Sequence, residues 1–158
     1  AQLNHDFTYP STGRTANELR TLDDIAMFET PIGDPAMQPR LADPFDTSAP
    51  LGDRARAYLH TNCSQCHRPG GLTPVSLDFR HSVLLSSTAA CDAPPIGDNL
   101  GLGASARIIA PGNPDASVLL ARMAIRGANQ MPPLTTTAVD DAGVALIREW
   151  IASLTTCQ

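Results

Sequence analysis

The chain has 158 residues, a length that suits one domain with a buried core and is short for two. Its net charge is -5 and all 11 basic residues are arginine, which argues against the basic surface that nucleic-acid binding requires. No run of about 18 apolar residues occurs, so the sequence predicts no membrane span. Only 4% of the residues are aromatic, whereas 14 are proline and 11 are glycine, so much of the chain should be irregular.

The N-terminal part of the chain is predicted to be an extension. It covers residues 1–46 and is expected to pack on a domain formed by residues 47–158. A capping box at Thr15 and apolar residues at helical spacing predict a helix over residues 15–29. Residues 30–50 are rich in proline and predict an irregular segment.

Three further helices are predicted beyond the extension. Pro50 suits the first turn of one of them, and Asn113 can cap another. The first and the last have apolar faces that neither can bury alone, so we expect them to pack on each other. The stretches between the helices are rich in proline and glycine and predict loops. The three helices are predicted over residues 50–61, 114–127 and 137–154.

Cys63, Cys66 and His67 form the run CSQCH, which has the spacing of a covalent haem attachment site. Thiols at this spacing lie close enough to add to the two vinyl groups of one haem, and the adjacent histidine can then bind the iron. A zinc site would need two more ligands at matching spacing, which Cys91 and Cys157 do not provide. A thioredoxin-like redox pair would need a βαβ context, which is not predicted here. We therefore expect one covalent haem c.

The second axial ligand of the iron remains open among several side chains. We favour Met131, because two prolines follow it and its stretch cannot be helical, which allows a rigid projection of the side chain. Met123 is predicted on a helix, where packing is the ordinary role of a methionine. His60 precedes the motif on its own side of the haem and is poorly placed. The other candidates are an open site and Met27, Met37, His5 and His81.

Four short motifs beyond the extension belong together. They are CSQCHRPGG at residues 63–71, IAPGNP at 109–114, MPP at 131–133 and LIREWI at 146–151. Together they resemble bacterial monohaem c-type cytochrome domains, in particular those at the C-terminal end of larger secreted redox proteins, some linked to polysaccharide breakdown. The resemblance implies an all-α, cytochrome c-like fold with helices packed round one haem, in which Met131 completes the coordination of the iron.

The resemblance also directs attention to side chains around the haem. Tyr58 and Trp150 are expected at the crossing of the two long helices or on the haem edge. Arg107, and after it Arg80, are candidate donors to the haem propionates, although a solvated surface arginine is an equally good interpretation of each. His67 is expected to donate its other ring N–H to a carbonyl of the following loop, with that of Pro74 as the candidate.

The function implied is electron transfer, without enzymatic activity. The expected partners are redox proteins: a dehydrogenase as donor and an oxidase or secreted copper oxygenase as acceptor. The chain would be a monomer or one domain of a larger protein. Cys91 and Cys157 could form a disulfide, which would indicate an oxidising compartment, here the bacterial periplasm or the exterior. The alternative is a haem enzyme or gas sensor in which the sixth position is open or Met131 is displaced.

Overall fold

The computed structural model describes residues 3–134 and 136–158. The chain divides into two units, Ala1–Leu41 and Ala42–Gln158. Within the described residues, regular structure consists of four α-helices, three short 3₁₀ turns and one two-stranded sheet. The 3₁₀ turns are Pro35–Met37, Leu85–Ser87 and Pro114–Ala116.

An antiparallel hairpin lies near the start of the first unit. Strand β1 (Asp6–Tyr9) pairs with strand β2 (Arg14–Asn17), and Thr8 lies opposite Thr15 with their hydroxyl oxygens 2.8 Å apart. The strands contain aromatic and β-branched residues, which favour extended structure, and Gly13 in the connecting turn has a φ of 66°. The expectation of an all-α fold is therefore wrong, because the chain has mixed secondary structure with a small sheet.

The helix predicted over residues 15–29 is shorter than expected. Helix α1 (Glu18–Asp24) begins after Asn17, whose side-chain oxygen accepts a hydrogen bond from the backbone N–H of Arg20. The predicted cap at Thr15 is wrong because that residue belongs to β2. Helix α1 buries none of its residues, so its apolar positions do not form a core face.

Asn4 organises the first unit through hydrogen bonds. Its amide nitrogen donates to the carbonyl of Pro35 at 2.8 Å, and its amide oxygen accepts from the side chain of Asn17 at 3.0 Å. Asn4 and Pro35 are the buried residues among those described in this unit. A polar side chain thus occupies the place where a larger domain would have an apolar core.

The second unit contains the other three helices. The helix predicted over residues 50–61 is observed as α2 (Leu51–Cys63), and the one predicted over residues 137–154 is observed as α4 (Asp141–Ser153). These two helices pack against each other. The largest fully buried apolar side chains of the core around them are Leu59, Ile109, Leu120, Ile147 and Ile151.

The helix predicted over residues 114–127 is interrupted. A 3₁₀ turn, Pro114–Ala116, is separated from α3 (Val118–Met123) by Ser117, which has extended backbone. Arg107 pairs with this extended residue: its N–H donates to the carbonyl of Ala116 and its carbonyl accepts from the N–H of Val118, both at 2.9 Å. The hydrogen bonds with Arg107 therefore hold Ser117 in an extended conformation despite the helix propensity of the residues around it.

Tyr58 fixes the contact between α2 and α4. Its hydroxyl donates to the carboxylate of Asp140 at 2.8 Å, and Asp140 caps α4 by accepting from the N–H of Gly143 at 2.9 Å. A Cβ added at Gly143 would overlap the ring and the hydroxyl oxygen of Tyr58. The close approach of the two helices thus requires glycine at this position.

A Gly143→Ala variant tests how closely helices α2 and α4 pack against each other. We expect Gly143→Ala to lower the free energy of unfolding by about 1–3 kcal/mol, because a buried ring must move to admit the added methyl group. Gly52 on α2 is the matched control, since a Cβ there would meet nothing within 4 Å. Gly52→Ala should be neutral or stabilising by up to about 1 kcal/mol. Urea unfolding of both variants measures the difference, and equal stabilities would contradict the tight contact.

Candidate haem-binding cleft

The CSQCH run begins where helix α2 ends. The carbonyl of Cys63, the last residue of the helix, accepts hydrogen bonds from the N–H groups of Cys66 at 3.2 Å and His67 at 2.9 Å. One tight turn on the end of a packed helix therefore carries all three residues. Gly71 follows closely, and a Cβ there would overlap the carbonyl oxygen of Cys66. A larger residue at position 71 would displace the turn.

An open cleft lies next to this turn. Its wall is formed mainly by apolar side chains from the motif, the loops after it, helix α3 and the proline segment before α4. The lining residues are Asn62, Cys63, Cys66, His67, Val75, Leu77, Phe79, Ile96, Ile108, Val118, Leu119, Arg122, Met123, Met131, Pro132 and Pro133.

Two methionines line the cleft together with His67. Met131 reaches it from the proline segment, and Met123 reaches it from the C-terminal end of α3, where it is buried. Both also border a neighbouring cavity of about 590 Å³. His60 and His81 do not line the cleft; instead the N–H of His81 donates to Nδ1 of His60 at 3.2 Å.

The His67 ring is held by packing. Its centroid lies 5.6 Å from that of Phe79, with the two planes at 74° in an edge-to-face arrangement, and the N–H of Phe79 donates to the His67 carbonyl at 3.0 Å. Burial lowers the pKa of His67, which favours the neutral imidazole that can bind a metal. Nδ1 of His67 is buried and has no partner among the described residues, so the expected bond to the Pro74 carbonyl is not formed.

The four cysteines form two chemically different pairs. Cys91 and Cys157 are joined in a disulfide with their Cα atoms 5.7 Å apart, so neither thiol is available as a metal ligand. Cys63 and Cys66 are free and partly buried. Burial, with a smaller contribution from the charge of Cys66, raises the pKa of the Cys63 thiol to about 12. The pair that lines the cleft is thus the pair with free thiols.

The predicted aromatic and arginine contacts lie outside the cleft wall. Trp150 is buried in the core, and Tyr58 borders the neighbouring cavity. Arg80 is paired with Asp78 at 2.6 Å and lowers the pKa of that carboxyl group. Arg107 is paired with another carboxylate and borders a surface groove. None of these four side chains lines the cleft.

Arg122 is the charged residue among the cleft residues that the sequence analysis did not indicate. Its side chain lines the cleft and donates to the carbonyls of Asn129 and Asp98, each at 3.0 Å. The signal was present in the helical spacing, because Val118 and Leu119 on the same face of α3 also line the cleft. Its carbonyl partners, however, are in loops whose position the sequence does not reveal.

Comparisons of the chain with protein-family models, curated proteins and solved structures found no match. None of the helices in residues 3–134 and 136–158 is long and apolar enough to cross a membrane. Within the same ranges, no three His, Cys, Asp or Glu side chains are grouped so that they could hold a bare metal ion.

Proposed function

We propose that this chain is an electron-transfer protein that carries one haem c. The haem would be bonded through thioethers to Cys63 and Cys66, and His67 would be an axial ligand of its iron. The observation that supports the proposal is the wall of the cleft, where two free thiols, one imidazole and two methionine side chains border one largely apolar space.

The residues of this wall fit a haem in chemical terms. The porphyrin is large and apolar, and side chains such as Leu77, Ile108 and Leu119 offer it a matching surface. The imidazole of His67 makes no hydrogen bond through its buried Nδ1, so its orientation depends on packing. The disulfide removes the other two thiols, which leaves the CSQCH pair to react with vinyl groups.

Met131 is our proposed second axial ligand. A thioether ligand favours ferrous iron and raises the reduction potential. A haem iron with two protein ligands supplies a one-electron couple that needs no substrate at the metal. The residues of the chain contribute a rigid attachment point on α2 and apolar walls that exclude water, so little has to rearrange when the charge changes.

The proposed setting is the bacterial periplasm or the exterior, as the observed disulfide favours an oxidising compartment. The proposed partners are a dehydrogenase as donor and an oxidase or secreted copper oxygenase as acceptor. Ile96 lines the cleft and is 56% exposed, so a partner that approached the rim would meet apolar surface. Such contacts are typically small and transient in electron transfer.

Expression with a c-type cytochrome maturation system tests the proposal. We expect a red protein whose pigment stays with the chain in acidified acetone and whose spectrum indicates one haem per chain. The ferric form should show the weak near-red band of methionine-sulfur ligation, and the ferrous form should bind carbon monoxide only weakly, through a minor population with displaced methionine. Colourless or extractable material would refute haem attachment. A ferrous form that binds carbon monoxide as tightly as a haem with an open sixth position would favour the enzyme or sensor alternative.

A further inference from the structure

The segment that carries Met131 contains no helix or strand in its described residues, 124–134 and 136–140. It connects Met123 at the end of α3 to Asp141 at the start of α4. Asn129, two residues before the methionine, has a φ of 67°, a left-handed conformation that asparagine tolerates better than most residues. A segment of this kind opens locally at low cost unless other contacts fix it.

Arg122 makes two hydrogen bonds that attach this segment to α3 and a third that reaches a neighbouring loop. Its backbone carbonyl accepts from the N–H of Met131 at 2.9 Å. One end of its guanidinium donates to the carbonyl of Asn129 at 3.0 Å, and the other end donates to the carbonyl of Asp98 at 3.0 Å. One residue thus binds the backbone at Met131, the backbone just before it and the loop beside it.

Other side chains act on different parts of the segment. Gln130 donates to the carbonyls of Pro132 at 2.9 Å and Thr136 at 3.2 Å, so it braces the segment internally. Arg126 donates to the carbonyls of Ala138 and of Met123, and so joins the later part of the segment to the end of α3. The bonds of Arg122 act closer to the methionine, at residues 129 and 131.

We propose that Arg122 is the positioning residue for the sixth iron ligand. Its hydrogen bonds keep the backbone on the N-terminal side of Met131 against α3, so that the thioether remains at the cleft. The inference rests on the proposed function, because the ligand has a role only if haem is bound. The bond from the N–H of Met131 to the carbonyl of residue 122 does not depend on the side chain at that position. A substitution of Arg122 therefore measures the contribution of the two guanidinium bonds.

The experiment compares Arg122→Gln, Arg122→Lys and Arg148→Gln in the haem-loaded protein. Arg148 is the matched control, because it is exposed, carries the same charge and bonds a carboxylate, that of Asp115, at 2.7 Å. Loss of both guanidinium bonds should raise the population with displaced methionine about tenfold. Carbon monoxide affinity of the ferrous form should rise by about the same factor, since only the displaced state binds it.

Two further measurements separate positioning from general stability. Amide hydrogen exchange in residues 129–134 should accelerate about tenfold in Arg122→Gln, while exchange in α2 stays unchanged. Arg122→Lys retains one donor and should show a smaller rise, about threefold. The near-red band should weaken in the same order, and Arg148→Gln should match the wild type.

The two possible failures are distinguishable. If Met131→Leu removes sulfur ligation while both Arg122 variants keep the wild-type carbon monoxide affinity and exchange rates, the role of Arg122 is overturned and the proposed function stands. If the wild-type protein binds no covalent haem, the proposed function fails and the inference fails with it. Should Arg122→Gln not fold, Arg122→Lys decides by the same criteria.

Discussion

Replacement of both Cys63 and Cys66 with serine is expected to abolish covalent pigment attachment. Serine is nearly isosteric with cysteine, but its hydroxyl cannot form a thioether. Cys63 and Cys66 carry the thiols of the CSQCH run, so its serine, glutamine and histidine cannot replace them. The variant expressed with the maturation system should give colourless protein or pigment that acidified acetone removes completely. The measurement is the ratio of haem absorbance to protein after this extraction.

The other pair of cysteines provides the matched control. Cys91→Ser with Cys157→Ser replaces the same number of cysteines but should leave the pigment attached. This variant should lose about 4 kcal/mol of stability, because the disulfide closes a loop whose ends are 66 residues apart. Pigment that remains covalent in the Cys63 and Cys66 variant, or disappears from the control, would contradict the assignment of the two pairs.

Met131→Leu should convert the site from a six-ligand centre to one that binds external ligands. Leucine keeps most of the side-chain volume but removes the sulfur. The near-red band of the ferric form should disappear, the reduction potential should fall, and the ferrous form should bind carbon monoxide stoichiometrically. Optical spectra with and without carbon monoxide, and a potentiometric titration, measure these three effects.

Met123→Leu is the control that distinguishes the two methionines of the cleft. Met123 is 7% exposed and belongs to the apolar core, so the volume-conserving change should cost less than about 1.5 kcal/mol. The near-red band and the weak carbon monoxide binding of the wild type should persist. If instead Met123→Leu abolishes sulfur ligation and Met131→Leu retains it, the axial ligand lies on α3 and our choice of methionine is wrong.

The features that the sequence predicted well depend on local patterns. Helices α2 and α4 are observed within a few residues of their predicted ends, because their apolar spacing is encoded in consecutive residues. The turn that carries CSQCH is likewise formed by hydrogen bonds between residues close in sequence. For this reason the spacing of Cys63, Cys66 and His67 is enough to group them.

The features that the sequence did not predict depend on distant partners. Thr15 satisfied the pattern of a helix cap, yet its partner is Thr8 in a hairpin, and the fold class was wrong for that reason. Position along the chain suggested Arg80 and Arg107 as haem contacts, but nearby carboxylates bind both of them. Arg122 escaped prediction because the carbonyls that it binds lie in separate loops.

The polar arrangement around Asn4 has a calorimetric consequence. The heat-capacity change of unfolding comes mainly from apolar surface that becomes hydrated, and polar exposure contributes with the opposite sign. The described part of Ala1–Leu41 buries one asparagine and one proline, so its melting should contribute almost nothing to that change. In scanning calorimetry, the step in heat capacity on unfolding should therefore come almost entirely from Ala42–Gln158.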